Sequence, residues 1–310
     1  MAIVNYLSGR LLRLATVIAG LVVITFFLTR LVADPVALIL GASATDAQRE
    51  QLRASMGLDQ PLPQQFGNYL LQLLRGDLGD SAWLGQPAFT VIVEKLPASI
   101  VLATLAMLLA LVVGVGAGIA AGLQPDSWLD RIITSSSAFI SSIPDFWVGI
   151  ILIIVFAVNL GWFPTGGYHG PAATAYLVLP TITVALLPAG RLARIARQSV
   201  IDELGKPYVV AARARGLTTA QIIRHHVLKN IMVSVGQVAG YDYLLLFTGY
   251  IATLEVVFGW PGIGRLAVEA TLQEDVVLIS ALVIVTGMIV GLGNIVLDAI
   301  FALIDPRSSN

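Results

Sequence analysis

The chain contains no cysteine. That excludes a disulfide scaffold, thiol catalysis and cysteine-based zinc sites. Charge is also scarce. Asp, Glu, Lys and Arg make up 12% of the 310 residues, against roughly 25% in an ordinary soluble domain. The net charge of −1 argues against a basic nucleic-acid binder. No G-x-x-x-x-G-K-[ST] occurs, so the chain holds no ATP by a P-loop, and no H-E-x-x-H occurs either. Of three histidines, His225 and His226 are adjacent. Sequence neighbours point to different helix faces, so a solvated loop pair is the plainer reading than a metal site.

What abounds is apolar. Hydrophobic residues make up 57% of the chain, and the mean hydropathy is +0.85. A soluble fold could not hide that much apolar surface, which predicts an integral membrane protein. Uncharged runs place six helices: Leu14–Thr29, Leu96–Pro125, Ile132–Asn159 interrupted by Asp145, a fourth from about Tyr176, a fifth over about Ile231–Val257, and a sixth from Val276 to about Leu303. The first run lacks a small-residue cleavage motif and is expected to stay as an anchor. Lys and Arg then orient the chain. One side collects Arg10, Arg13, Arg131, Arg307 and the eight basic residues from Arg191 to Lys229. That side should be cytoplasmic, with both termini on it.

Two loops carry more than turns. In the outer one, 33–95, Thr45 and Gln48 read as a capping box and Gly57 as a helix end. Phe66, Tyr69, Leu70, Leu73 and Leu74 recur at helical spacing, giving a short amphipathic helix on the membrane face. The inner loop, 198–230, is mixed-charge and Ala-rich, and Gly205 and Gly216 divide it into two short helices. Gly114, Gly118 and Gly122 repeat every four residues, a packing stripe for another helix. Gly259 to Gly264 could pass for a nucleotide loop, but no βα unit follows it, so it reads as a tight turn.

Acids inside membrane spans are costly and mark cavities or partners. Asp145 and Asp242 fall near mid-span, and Glu255 and Asp298 near helix ends. Buried hydrogen bonding is the plain reading of all four. Lining a polar pathway is the functional one, favoured for helix 3 by Ser135–Ser137, Ser141 and Ser142 beside Pro144. An aspartyl protease would need two facing carboxylates with a local signature, and none accompanies Asp145 and Asp242.

Five segments in order give a resemblance: Gly57-Leu58-Asp59-Gln60-Pro61-Leu62-Pro63, Arg75-Gly76-Asp77-Leu78-Gly79, Tyr208 to Leu217 with Ala212-Arg213-Ala214-Arg215-Gly216-Leu217, Glu255 to Gly264, and Asp305-Pro306-Arg307. Along nearly the whole chain it resembles the inner-membrane permease subunits of dipeptide/oligopeptide/nickel-type ABC importers. The resemblance implies an all-α, six-span permease forming a single transmembrane domain over 1–310. It would have an extracytoplasmic helical loop at 33–95 and a cytoplasmic coupling loop at 198–230. It implies no covalent chemistry and no cofactor in this chain, with ATP and Mg bound by partner ATPase subunits. The other expected partners are a second homologous permease, an extracytoplasmic substrate-binding protein and the bilayer of the bacterial cytoplasmic membrane. ATPase coupling falls by position to Arg213, Ala214, Arg215, Gly216 and Leu217. The translocation pathway is expected at Ser141, Ser142, Asp145, Tyr241 and Asp242. The rival reading, a stand-alone proton-coupled carrier using Asp145 and Asp242, would need repeats or matched broken helices that the sequence does not display.

Overall fold

The computed structural model describes residues 2–31, 36, 45–55, 57–168 and 174–304. The tail Asp305-Pro306-Arg307 lies outside the described residues, as does part of the 33–95 loop. The described residues are helical, without a β-strand, apart from one isolated bridge between Asp80 and Pro87. The helices are α1 (Ala2–Leu31), α2 (Asp46–Ser55), α3 (Leu62–Leu74), α4 (Ala88–Leu123), α5 (Trp128–Ser142), α6 (Asp145–Asn159), α7 (Ala175–Leu204), α8 (Pro207–Ala214), α9 (219–250), α10 (Ala252–Val257), α11 (Ile263–Leu272) and α12 (Val276–Ile304). Among them α1, α4, α7, α9 and α12 contain stretches long and apolar enough to cross a membrane, and α5 with α6 would make a sixth, bent span.

Three boundaries differ from the sequence expectation. The third helix is not one rod, because α5 and α6 meet at 102°. Ile143 is extended (φ −102°, ψ 136°) as the residue before Pro144 must often be, and Pro144 cannot donate to the preceding turn. The fourth helix does not give way to the inner loop at Gln198. It runs 30 residues to Leu204, so 198–204 is helix rather than loop. The second short helix of the inner loop does not stand alone. It begins at the capping box Thr218–Gln221 and passes through a π-helical turn at Ile223–Val227 into the fifth span. Charge marks where a chain can meet water; it does not end a helix whose backbone bonds continue.

Contacts group into two compact units. In the first, Met1–Pro97 with Gly262–Leu292, α3 lies against α1. Phe26 is buried edge-to-face on Phe66, their centroids 5.0 Å apart. Arg30 covers the Phe26 ring at 3.7 Å and donates to Gln65 at 2.8 Å. The α3 stripe read from Phe66 to Leu74 is therefore a helix as expected. The Thr45–Gln48 box forms in both directions. Gly57 ends α2 at φ +64°, with the Leu58 amide donating back to Arg53. Asp275 caps α12 through the Leu278 amide. Its other oxygen accepts from Ser81 Oγ at 2.5 Å and from the Trp83 amide at 3.1 Å.

In the second unit, Ala98–Pro261 with Gly293–Asn310, the glycine stripe of α4 meets α7. A Cβ at Gly114 would stand 2.5 Å from the Ala189 carbonyl oxygen, and one at Gly122 would stand 2.8 Å from that of Arg197. At Gly118 it would collide with the Ala193 carbonyl. The backbones approach that closely because the side chains are absent. Glu255 is fully buried and accepts from Ser99 Oγ at 2.6 Å, while the Trp260 indole donates to the Ala98 carbonyl. Gly259 (φ +60°) closes α10 in a tight turn, as its sequence suggested.

Candidate translocation and coupling sites

The α5–α6 break opens a cavity of about 190 Å³. Ser141, Ile143, Pro144, Asp145 and Val148 form one wall, Thr183, Leu186 and Leu187 of α7 the next, and Tyr250 the last. Tyr250 reaches it because Gly249 adopts φ +103° at a kink in α9, a conformation that other residues take only with strain. Asp145 opens α6, and its Oδ1 accepts from its neighbour's amide, Phe146 N, at 2.8 Å. Ser141 Oγ donates to the Ser137 carbonyl and accepts from Arg194 Nη1 at 3.2 Å.

A second crevice shares Leu187 and Tyr250 with the first and is closed by Arg191, Asp242, Leu245 and Leu246. Here Arg191 Nη1 donates to Asp242 Oδ1 at 2.5 Å. Asp242 is buried and its Oδ2 has no hydrogen-bond partner, while the Arg191 side chain is 45% exposed. Ser141, Asp145 and Asp242 thus converge around Tyr250. Ser142 and Tyr241 do not join them. The Ser142 hydroxyl turns back onto the Ala138 carbonyl, and Tyr241, one residue from Asp242, donates to Asp298 on α12. Adjacent helical residues face about 100° apart, and here Tyr241 turns to α12 while Asp242 turns to Arg191 of α7.

The expected coupling segment is α8 and the turn after it. Val209 and Ala212 sit in an apolar cluster with Val200, Ile222, Val227 and Ile231, and Leu217 packs against it. Arg213, Ala214, Arg215 and Gly216 face outward. Gly216 (φ +83°) reverses the chain, with the Leu217 amide donating to Ala212. Beneath α8, buried Glu203 accepts from Lys206, Tyr208 and, at 3.3 Å, Asn230. Its carboxylate raises the Lys206 pKa. Burial first, and then Glu203, push the Tyr208 phenol up.

Sequence reasoning missed Arg191, Arg194, Glu203 and Tyr250. The two arginines counted as loop charge, although Arg191, Arg194 and Arg197 recur every three residues, a helical spacing. Arg197 donates from Nη2 to Asp130 of α5 at 2.7 Å, a second tie that spacing alone could hint at. Glu203 stands three residues before Lys206, a helical pair. Nothing local singles out Tyr250. Among the described residues no group of three His, Asp or Glu could hold a metal.

The model of the binding-protein-dependent transport system inner membrane component matches residues 114–310, and that of its N-terminal part matches 3–103. This chain belongs to that family. It is a permease component of an ABC importer, a multi-pass protein of the inner membrane. It is not an enzyme, since ATP hydrolysis falls to separate ATPase subunits. The family also implies a substrate-binding protein as partner. A Brucella abortus chain named as a peptide transport system permease protein is 36% identical over 291 residues, 92% of each chain. The Bacillus subtilis oligopeptide transport system permease protein AppB is 31% identical, covering 97% of this chain and 98% of its own. The Escherichia coli glutathione transport system permease protein GsiC is 34% identical with the same coverage. A chain of the MetNI methionine ABC transporter in an inward-facing crystal form shares the fold at TM-score 0.53. Its identity is 19%, over 69% of this permease and 96% of that chain. Nothing in these likenesses supports the proton-coupled carrier.

Proposed function

We propose that this permease forms one half of the translocation pathway of an importer for short peptides. A second, homologous permease would supply the other half, and two ATPase subunits carrying ATP and Mg would dock on the side where α8 lies. The observation that carries this is the similarity along 92–97% of the chain to permeases named for peptides. The orientation follows from Lys and Arg: α8 and both termini face the cytoplasm, and α2 and α3 lie outside.

In this reading α8 is the coupling helix. Its apolar side is locked into the cluster around Val209, which leaves Arg213 and Arg215 for an ATPase groove. Closure of the ATPase pair would move α8 and, through Glu203, its neighbours. The two access states of the pathway would then be populated by differential contacts rather than by local deformation. Ser141, Asp145 and Asp242 border the path, while Ser142 and Tyr241 belong to other contacts. The 33–95 segment would be the extracytoplasmic helical loop and 198–230 the coupling region, now with its first seven residues in α7.

Affinity purification of the tagged permease in gentle detergent, followed by mass spectrometry, tests the assembly. A second six-span permease and P-loop ATPases should come with it, and peptide uptake by the reconstituted complex should need ATP. A clean homo-oligomer without ATPases, or uptake driven by a proton gradient alone, would defeat the proposal.

A further inference from the structure

The cavity at the α5–α6 break holds groups that the fold itself leaves without partners. Asp145 Oδ1 accepts from its own neighbour's amide and has no cationic partner. The Tyr250 hydroxyl is buried and turned toward the Asp145 carboxylate, with no other group to bond. In the adjoining crevice Asp242 is 6% exposed, and its Oδ2 is likewise unpartnered. Buried polar atoms are almost always satisfied, and exceptions point to a water, an ion or a ligand. Here two such atoms, the Tyr250 hydroxyl oxygen and Asp242 Oδ2, lie beside the half-buried carboxylate of Asp145.

The charges say what kind of ligand. Arg191 already neutralises Asp242 at 2.5 Å. Arg194 is held by the Ser137 carbonyl and the Ser141 hydroxyl, so Ser141 already serves a cation. Asp145 has no counter-charge, so the region around it calls for a cation. Its oxygens come from a single carboxylate, a phenol and a hydroxyl, and no group of three His, Asp or Glu gathers among the described residues, so a metal has too few ligands. A primary ammonium needs three acceptors at hydrogen-bond distance, and the two Asp145 oxygens with the Tyr250 phenol can offer them. About 190 Å³ is too small for a whole oligopeptide but roomy enough for one end of it. Ile140, Ile143, Val148, Leu186 and Leu187 would surround the first side chain.

We infer that this cavity is a transit site for the free amino terminus of a peptide, held by the Asp145 carboxylate and the Tyr250 hydroxyl. The inference rests on the peptide-importer reading and adds a selectivity to it: the permease itself checks for an unblocked amine. A blocked terminus loses the charge that Asp145 lacks and leaves that carboxylate desolvated without a partner.

The test uses the co-purified importer in nanodiscs without its binding protein, so that the permease alone is read. The probe is a tripeptide carrying an azidophenylalanine first residue, with its amine either free or N-acetylated. Irradiation of the free-amine probe should label residues within 140–148 or 186–187. The acetylated probe should label them about tenfold less or weaker still, the loss expected for one charge-assisted contact. Asp145→Asn should lower free-amine labelling by a similar factor, and Asp145→Glu should recover part of it. Retention of the ATPase subunits by each variant shows that it has folded. Labelling elsewhere, equal labelling by both probes, or wild-type labelling of Asp145→Asn would overturn the inference. If the complete importer, binding protein included, transports peptides while these results fail, only the amino-terminus site is lost. If it transports no peptide at all, the peptide reading falls and takes this site with it.

Discussion

Removing Arg191 strips the counter-charge from a carboxylate that has nowhere else to turn. Asp242 is 6% exposed, one of its oxygens is already unpartnered, and the other accepts from Arg191 at 2.5 Å. Breaking a fully buried pair by deleting one partner costs about 3–5 kcal/mol. The Arg191 side chain is 45% exposed, so water takes over part of its role for Asp242. Arg191→Met should therefore cost less, about 2–3 kcal/mol. Asp242→Asn should cost about 1 kcal/mol, because the guanidinium it releases stays hydrated and the amide keeps one hydrogen bond. The double variant Arg191→Met with Asp242→Leu replaces the pair by apolar groups and should lie within about 1 kcal/mol of the parent. The assay is SDS titration of the permease in mixed micelles, with the folded fraction followed by limited proteolysis. If Arg191→Met costs under about 0.5 kcal/mol, or if the double variant costs as much as Arg191→Met alone, the pair does not neutralise a buried charge and the reasoning fails.

Four other outcomes follow from the same structure. Gly118→Leu should prevent recovery of folded permease, because its Cβ alone meets the Ala193 carbonyl and the Ala196 methyl, and overpacking costs about 1–3 kcal/mol or more; normal yield in membrane fractions would contradict the α4–α7 contact. Ser99→Ala leaves fully buried Glu255 without its 2.6 Å donor and should cost about 1–3 kcal/mol in the SDS titration. Charge reversal of Arg213 and Arg215 together should leave membrane insertion intact while ATP hydrolysis runs without peptide uptake, measured in proteoliposomes; coupled uptake at the parent's rate would remove α8 from the coupling role. Glu203→Gln keeps an acceptor for Tyr208 and Asn230 but loses the ion pair with the exposed Lys206; stability should barely change in the SDS titration, whereas Glu203→Leu, which removes the acceptor that Lys206, Tyr208 and Asn230 share, should lower the ratio of uptake to ATP hydrolysis.

Composition and spacing determined a good deal of this protein. Hydropathy fixed the spans to within a turn or two, because a helix that crosses hydrocarbon must be apolar over a length set by the bilayer. The glycines at 114, 118 and 122, the Thr45–Gln48 box, the Gly57 stop and the α3 stripe were legible because each is a local rule with a fixed spacing. Local rules do not reach across the chain. They could predict that Pro144 disturbs a helix, but not that α5 and α6 turn by 102°. They placed Arg191 and Arg194 in a loop, since charge was the only boundary signal, while the backbone carried α7 past both. Asp145 and Asp242 were visible as costly residues, yet their separate situations were not. Fifty-one residues in the sequence separate Arg191 from Asp242, and only the packing of α7 against α9 brings the guanidinium to the carboxylate. Tyr250, an ordinary aromatic near a helix end, becomes the meeting point of the site because Gly249 turns the backbone beneath it.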